Sequence, residues 1–485
     1  MGKLVKYRLN GREVEAEEGR LVIDAAKDAG VEIAHYCYHP ALGNPGNCRL
    51  CVVEVAGAPK PMPSCRLPVK EGLDVRTDTD AVKRAQAGVL ELHLVNHPLD
   101  CPVCDQSGEC GLQDYYMKVG RYPSRAREDK EHKGKRIEAG PHVMLDQERC
   151  ILCTRCTRFV DQVTKTHELG IFSRGHQERV EVAPGMTLDN AYSGNVVDIC
   201  PVGALTDRDF RYKVRVWYLD HADSICPGCS RGCGISVHTS TKRPWHNEGR
   251  RVARLKPRWS EVNGHWMCDD GRYGFANLDT DRLGKVLRLR PERVELSWVD
   301  MAEELAGRLD GVKVVASGML SNEDWAAFKA LFVDTLTVQD LYFSAEPDQI
   351  GAEDDLLRKK EKVPNLKGAE ALGLKSGSFD RLAEDLEAGK VRCLYVIERD
   401  LAKVWGEARA RALLTQVPLL VFQGPNKGAL GDLAHYRLPA TAYVEEEGCF
   451  TNFEGNRRPY RKALEPIGCA RPDWEIFKLL QEARS

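Results

Sequence analysis

Val5, Tyr7 and Leu9 alternate with polar residues and run into Asn10-Gly11, a pairing that predicts a β-hairpin. After the second strand the spacing turns helical over Leu21 to Ala29 and closes on Gly30. A longer apolar helix, "AVKRAQAGVLELHLVN", is stopped by Pro98, which places His97 at the helix end. Towards the back of the chain, "VKVVASGMLSNEDWAAFKALF" reads as strand, turn and helix, while "VRCLYVIERD" and "VPLLVFQGPN" read as buried strands. Strands alternating with helices predict an open α/β sheet there. No run approaches the roughly 20 apolar residues of a membrane helix. The opening "MGKLVKYRLNGREVE" has no signal-peptide core, so the expected location is cytoplasmic.

Composition changes this picture at one point. The 485 residues have room for several cores, and a formal charge of −2 leaves no electrostatic footprint for nucleic acid. The basic run from Lys242 to Arg258 reads as a solvated loop. The anomaly is eighteen cysteines, fifteen of them before residue 270, with only Cys393, Cys449 and Cys469 after it. In a reducing compartment so many thiols point to metal or redox chemistry rather than disulfides.

The fifteen sort into four groups. Cys37, Cys48, Cys51 and Cys65 form Cx10CxxCx13C behind the hairpin and helix, which suggests a ferredoxin-like β-grasp domain holding a [2Fe–2S] cluster. Zinc is the alternative, for which a ten-residue gap is awkward. Cys101, Cys104 and Cys110 lack a fourth partner, and His97 supplies one in HxxxCxxCx5C. His93, one turn earlier, competes for that role, and a zinc site of three cysteines and one histidine satisfies the same motif. Cys150, Cys153 and Cys156 begin a two-cluster-ferredoxin run whose fourth position is Val160. Cys200-Pro201 ends a second run whose earlier cysteine positions are Asn190, Ser193 and Val196. Because the fourth cysteine of each such run ligates the other cluster, one [4Fe–4S] set survives as Cys150, Cys153, Cys156 and Cys200. Cys226, Cys229, Cys233 and Cys268, in CxxCxxxCx34C, suit a structural zinc or a further [4Fe–4S] centre, and the neighbouring groups favour the latter.

In this order the four spacings resemble those of the large iron–sulfur subunit family of respiratory NADH:quinone oxidoreductase, complex I. The resemblance implies that His97 is the histidine ligand of a [4Fe–4S] centre. It also implies a β-grasp domain over 1–80, a segment with one histidine and three cysteine ligands over 81–120, a reduced ferredoxin module over 139–218 and a fourth cluster domain over 219–275. Residues 276–485 resemble a shortened molybdopterin-oxidoreductase domain through "YRLPATAYVEEEGCFTNFEGNRRP". Where the molybdenum enzymes read CxKGR, Asp269-Asp270-Gly271-Arg272 removes the bridging lysine, and Asp270 would repel a pterin's phosphates. Cys393, on an apolar strand, reads as core. The expected cofactors are thus one [2Fe–2S] and three [4Fe–4S] clusters, with no molybdopterin and no catalytic residue of the chain's own. No glycine-rich phosphate loop appears, so NAD and flavin belong to another chain.

The resemblance implies a peripheral subunit of a proton-translocating membrane complex. Its partners would be a flavin/NADH-binding subunit with a small [2Fe–2S] companion, a ferredoxin-like [4Fe–4S] subunit and the quinone-site subunits. An electron-input subunit of an NAD-linked formate dehydrogenase or hydrogenase shares parts of the front end, and a zinc-stapled assembly scaffold is a third reading.

Overall fold

The computed structural model describes residues 2–484 and divides into two compact units, Met1–Tyr218 and Leu219–Ser485. In the first unit, β1 (Leu4–Leu9) pairs antiparallel with β2 (Arg12–Glu17), and Val5, Tyr7 and Leu9 all point inward, as the alternation predicts. Helix α1 (Val22–Asp28) buries Val22, Ile23, Ala25 and Ala26, and Gly30 turns the chain at φ +78°. Strands β3 (Val52–Val55), β4 (Met62–Pro63) and β5 (Asp74–Arg76) complete a five-stranded sheet in the order β2-β1-β5-β3-β4. Strand β5 runs parallel to β1, which gives the β-grasp arrangement.

Helix α2 (Asp80–Leu94), capped by Thr79, buries only the stripe Val82, Gln86 and Leu90. It ends before His97, which lies in the bend beyond it and not at the helix terminus that Pro98 suggests. Pro98, four residues after Leu94, has no N–H to offer its carbonyl, and Lys130 Nζ donates to the carbonyls of Leu94 and Val95 instead, both at 2.8 Å. Helix α3 (Gly111–Val119) follows, then β6 (Ile137–Glu138), β7 (Val143–Leu145) and α4 (Arg155–Gln162). The hairpin of β8 (Leu169–Phe172) and β9 (Arg179–Val182) precedes α5 (Asn195–Ile199) and β10 (Leu205–Asp207), which pairs with β7.

The second unit opens with an antiparallel sheet of β11 (Asp220–Ile225), β12 (Gly234–Thr239) and β13 (Val252–Pro257). Strand β13 corrects the reading of Lys242 to Arg258 as a solvated loop throughout, because Val252, Ala253 and Leu255 are buried within it. Just before it, Arg251 binds Glu445 and Asp279, so the basic run contributes to the core rather than to solvent alone.

After the short α6 (Asp269–Tyr273) come β14 (Leu287–Arg288), β15 (Val294–Glu295), α7 (Trp298–Ala306), β16 (Lys313–Ala316), α8 (Asn322–Phe328) and β17 (Leu341–Tyr342). Helix α8 runs on as a π-helix over Lys329–Thr335. Then follow α9 (Leu366–Ala371), α10 (Phe379–Glu387), β18 (Cys393–Ile397), α11 (Leu401–Trp405), α12 (Glu407–Thr415), β19 (Leu419–Gly424) and β20 (Tyr436–Pro439). The hairpin of β21 (Gly448–Thr451) and β22 (Arg457–Tyr460) and helix α13 (Asp473–Glu482) end the unit.

The main sheet has the order β15-β14-β20-β19-β18-β16-β17, parallel from β20 to β17. Both its faces are covered, which is why its strands read as unbroken apolar runs. Val314, Tyr395 and Val421 face α7, α8 and α13, whereas Val315, Val396 and Leu420 face α10 and α12. Cys393 lies in the first of these cores. Trp325, fully buried there, donates its indole N–H to the Asn365 carbonyl at 3.2 Å. Trp325→Ala is expected to cost about 3–5 kcal/mol, read from the urea midpoint of the second unit; a change near zero would show that the core collapses around the gap.

Candidate metal centres

Each cysteine group is tied down by local backbone that the sequence forces into place. In "GNPGNCRLC", Gly43, Gly46 and Arg49 take left-handed conformations, which fold the loop back on itself. Tyr36 N and Cys37 N approach Cys48 Sγ at 3.4 and 3.5 Å, and Cys48 N approaches Cys37 Sγ at 3.5 Å. The four buried thiols form two contacting pairs, Cys37 with Cys48 and Cys51 with Cys65. In each pair the hydrogen bond from the second thiol holds the first one's pKa low, and the donors Cys48 and Cys65 are pushed up. Two pairs of sulfurs suit two iron atoms taking two protein thiolates each.

Cys101 opens a short 3-10 turn after the bend, and Cys110 is the residue before α3. Cys110 interacts electrostatically with Cys104 and Cys101, and burial pushes its thiol up to about 11. His97 and Cys104 both interact with the guanidinium of Arg149. Burial lowers the His97 pKa to about 4, which leaves the imidazole in its neutral, ligating form, and its Nδ1 is buried without a hydrogen-bond partner. His93 also has an unpartnered ring nitrogen, Nε2, but its ring is hydrogen-bonded to the Cys48 backbone and packs edge-on against Tyr36 at 5.4 Å.

Cys150, Cys153, Cys156 and Cys200 line one cavity with apolar walls that include Leu145, Ile151, Val180 and Val202. Leu152 and Thr154 adopt left-handed conformations between the cysteines, which turns successive thiols toward the same space. Burial pushes Cys153 and Cys200 up to about 11 and Cys150 up to about 12. These values belong to free thiols, which a metal would deprotonate. Val160, Ser193 and Val196 are fully buried, and Asn190 is bonded to Glu168 at 2.7 Å, so packed side chains fill the cysteine positions of the missing second set.

In the second unit Cys226 follows β11, Cys233 precedes β12 and Cys268 caps α6 through the Gly271 N–H at 3.4 Å. A Cβ on Gly271 would lie 2.8 Å from Cys226 Sγ and 3.6 Å from Cys268 Sγ, so only glycine keeps this cradle open. Asp270 sits 3.8 Å from Arg358 and 3.7 Å from Lys362, two cations that the sequence does not place beside it. Among the described residues no three His, Cys, Asp or Glu side chains converge on a single ion. The thiols of the Cys150 group instead surround a space, as ligands of a polynuclear cluster do.

The cavity at the carboxyl ends of β18, β19 and β20 is where a dinucleotide would sit in an open α/β sheet. It is lined by Asp324, Glu398, Glu446 and Asp473, whose pKa values burial raises. Arg399, Lys403 and Lys427 line the same cavity, so its charges are of both signs.

A curated relative from Rickettsia conorii, named as the G subunit of NADH-quinone oxidoreductase, is 30% identical over 98% of this chain and 87% of its own length. The chain belongs to the family of NADH-quinone oxidoreductase G subunits. It is therefore a subunit of an oxidoreductase complex. The G subunits of Rickettsia felis and Streptomyces coelicolor are 38% and 39% identical, with matches over 68% and 70% of this chain and 49% and 41% of those proteins, so the chain spans less than half their length. Family models match in series. A 2Fe-2S iron-sulfur cluster binding domain covers 2–80, and an NADH-ubiquinone oxidoreductase-G iron-sulfur binding region covers 86–125. An NADH-quinone oxidoreductase subunit 3 ferredoxin-like domain covers 140–206, and a molybdopterin oxidoreductase domain covers 324–483. A chain of an NAD+-reducing [NiFe]-hydrogenase in the H2-reduced state shares 34% identity over 42% of this chain and 87% of its own, with a TM-score of 0.38.

Sequence reasoning missed the arginines that bind the centres to one another. Arg155, inside the CxxCxxC run, and Arg158, just after it, donate to the carbonyls of Tyr38, Leu42 and Cys37 in the β-grasp loop. The only signal was their place in "CILCTRCTR".

Proposed function

We propose that this subunit relays electrons in the peripheral arm of NADH:quinone oxidoreductase, from a flavin-bearing partner toward quinone. The observation that carries the reading is one apolar core in the first unit that contains Cys37, Cys48, Cys110 and Cys153, from three separate motifs, with Tyr36 and Leu90 between them. Three redox sites built on a single packed core suit a relay. When bound, the clusters supply one-electron chemistry. Cys37, Cys48, Cys51 and Cys65 hold the [2Fe–2S] cluster. The three [4Fe–4S] clusters are held by His97 with Cys101, Cys104 and Cys110, by Cys150, Cys153, Cys156 and Cys200, and by Cys226, Cys229, Cys233 and Cys268. The surrounding apolar side chains exclude water, and the backbone N–H groups at Cys48 and Cys37 stabilise anionic sulfur.

The partners are the flavin/NADH subunit with its small [2Fe–2S] companion, the ferredoxin-like [4Fe–4S] subunit and the quinone-site subunits, at the cytoplasmic face of the membrane. No helix among the described residues is long and apolar enough to cross it. The C-terminal sheet is a scaffold without molybdopterin.

Metal analysis of the complex purified from its native membrane tests this. The subunit should carry about fourteen irons with equal sulfide, and the complex should show NADH-dependent quinone reduction without molybdenum or tungsten. Saturation near about ten irons would remove one cubane, that of Cys226 first. Stoichiometric molybdenum with formate-dependent cluster reduction would replace this reading with a formate dehydrogenase.

A further inference from the structure

Arg149 adjoins Cys150 in sequence, yet its side chain runs to the other ligand set of the same unit. The guanidinium is only 4% exposed and grips Asp100, the neighbour of Cys101, through Nε at 3.2 Å and Nη2 at 2.6 Å. Nε also lies 3.6 Å from Asp146. Lys135 stands 3.7 Å from both of these carboxylates and 2.7 Å from Glu148, so each anion of the group has a cation beside it. The remaining nitrogen, Nη1, is buried and has no hydrogen-bond partner. A buried donor on a permanently charged group is costly to leave without an acceptor.

Gly203 brings the arginine stem and a ligand thiol together. A Cβ on Gly203 would collide with Cys104 Sγ and meet Arg149 Cδ at 3.5 Å, so the arginine stem and the thiol flank a residue that has no side chain. Cys104 and Arg149 also interact electrostatically. Arg215 does not compete for the role, because its guanidinium is spent on the carbonyls of Cys104 and Pro102, at 2.5 and 2.6 Å.

We propose that Nη1 of Arg149 donates a hydrogen bond to a sulfide of the cluster that Cys104 helps to hold, and raises that cluster's reduction potential. The inference rests on the assignment of a [4Fe–4S] cluster to His97, Cys101, Cys104 and Cys110. Reduction adds a negative charge, which a fixed cation and an N–H donor stabilise more than they stabilise the oxidised state. Asp100 holds the guanidinium in place and partly offsets its charge, which makes Asp100 the positioning residue and Arg149 the tuning one.

The test is an EPR-monitored redox titration of the whole complex carrying Arg149→Gln, with Asp100→Asn beside it. At fixed poise Arg149→Gln should leave this cluster about tenfold more oxidised, which is ~59 mV for a one-electron couple, and Asp100→Asn should move it the other way. An unchanged midpoint in an iron-replete Arg149→Gln complex overturns the proposal. If that variant loses the cluster, the wild-type complex grown on 15N-arginine decides by electron–nuclear double resonance. Coupling of the reduced cluster to a guanidinium nitrogen supports the bond, and its absence overturns it. A wild-type chain without this cluster's iron would instead remove the assignment on which the inference stands, and iron content tells the two failures apart.

Discussion

Cys153→Ser should reduce NADH-to-quinone electron transfer of the assembled complex to background, while Cys229→Ser should leave turnover per assembled complex largely intact and reduce how much complex assembles. Cys153 shares its apolar core with Cys37, Cys48 and Cys110, so its cluster stands among the other redox sites of the first unit. Serine there replaces a soft thiolate with a poor ligand for iron. Cys229 belongs to the second unit, where its group joins the turn after β11 to the start of β12 and to α6. A structural metal site contributes free energy on the order of 10 kcal/mol to the fold that holds it, so its loss should appear as poor folding before it appears as slow turnover. The measurement is quinone reduction normalised to assembled complex, read beside the yield of complex. Equal catalytic losses in the two variants would place the Cys226 cluster on the electron path.

What the sequence showed plainly was whatever rests on short spacing. The Asn10-Gly11 hairpin, the inward set Val5, Tyr7 and Leu9, and the apolar strands around Tyr395 and Val421 are local patterns, and the structure has them where the pattern put them. The CxxC repeats were readable for the same reason, since they constrain backbone within a few residues, and the structure gathers Cys150, Cys153 and Cys156 with the distant Cys200 around one cavity. Features set by contacts across long stretches of chain were not legible. Pro98 gives only an upper limit for α2, and the ammonium of Lys130, which caps its last carbonyls, comes from far along the sequence. The strand Val252–Pro257 was hidden because it lies in a longer run rich in arginine and lysine, although Val252 and Leu255 carry the buried face. Asp270 shows the same limit: its charge was readable, but the cations beside it, Arg358 and Lys362, come from a distant loop.

His97→Ala should cost the cluster of His97, Cys101, Cys104 and Cys110 far more than the roughly 10–100-fold in metal affinity typical of changes outside the ligand shell, leaving an iron open to oxygen. His97→Cys should instead keep the cluster and lower its reduction potential, because a thiolate brings a negative charge where imidazole brings none. The two histidines have different surroundings. His97 lies past the end of α2, three residues before Asp100, and presents a buried Nδ1 with no partner. His93 is inside α2, its ring hydrogen-bonded to the Cys48 backbone and stacked edge-on against Tyr36, which in turn donates its hydroxyl to the Gly111 carbonyl at 3.4 Å. His93→Ala should therefore loosen packing between the β-grasp loop and α3 while the cluster keeps its EPR signal. The deciding comparison is EPR and iron content of the three variants in the intact complex. A signal lost in His93→Ala and kept in His97→Ala would transfer the ligand role to His93 and require α2 to deliver it from inside the helix.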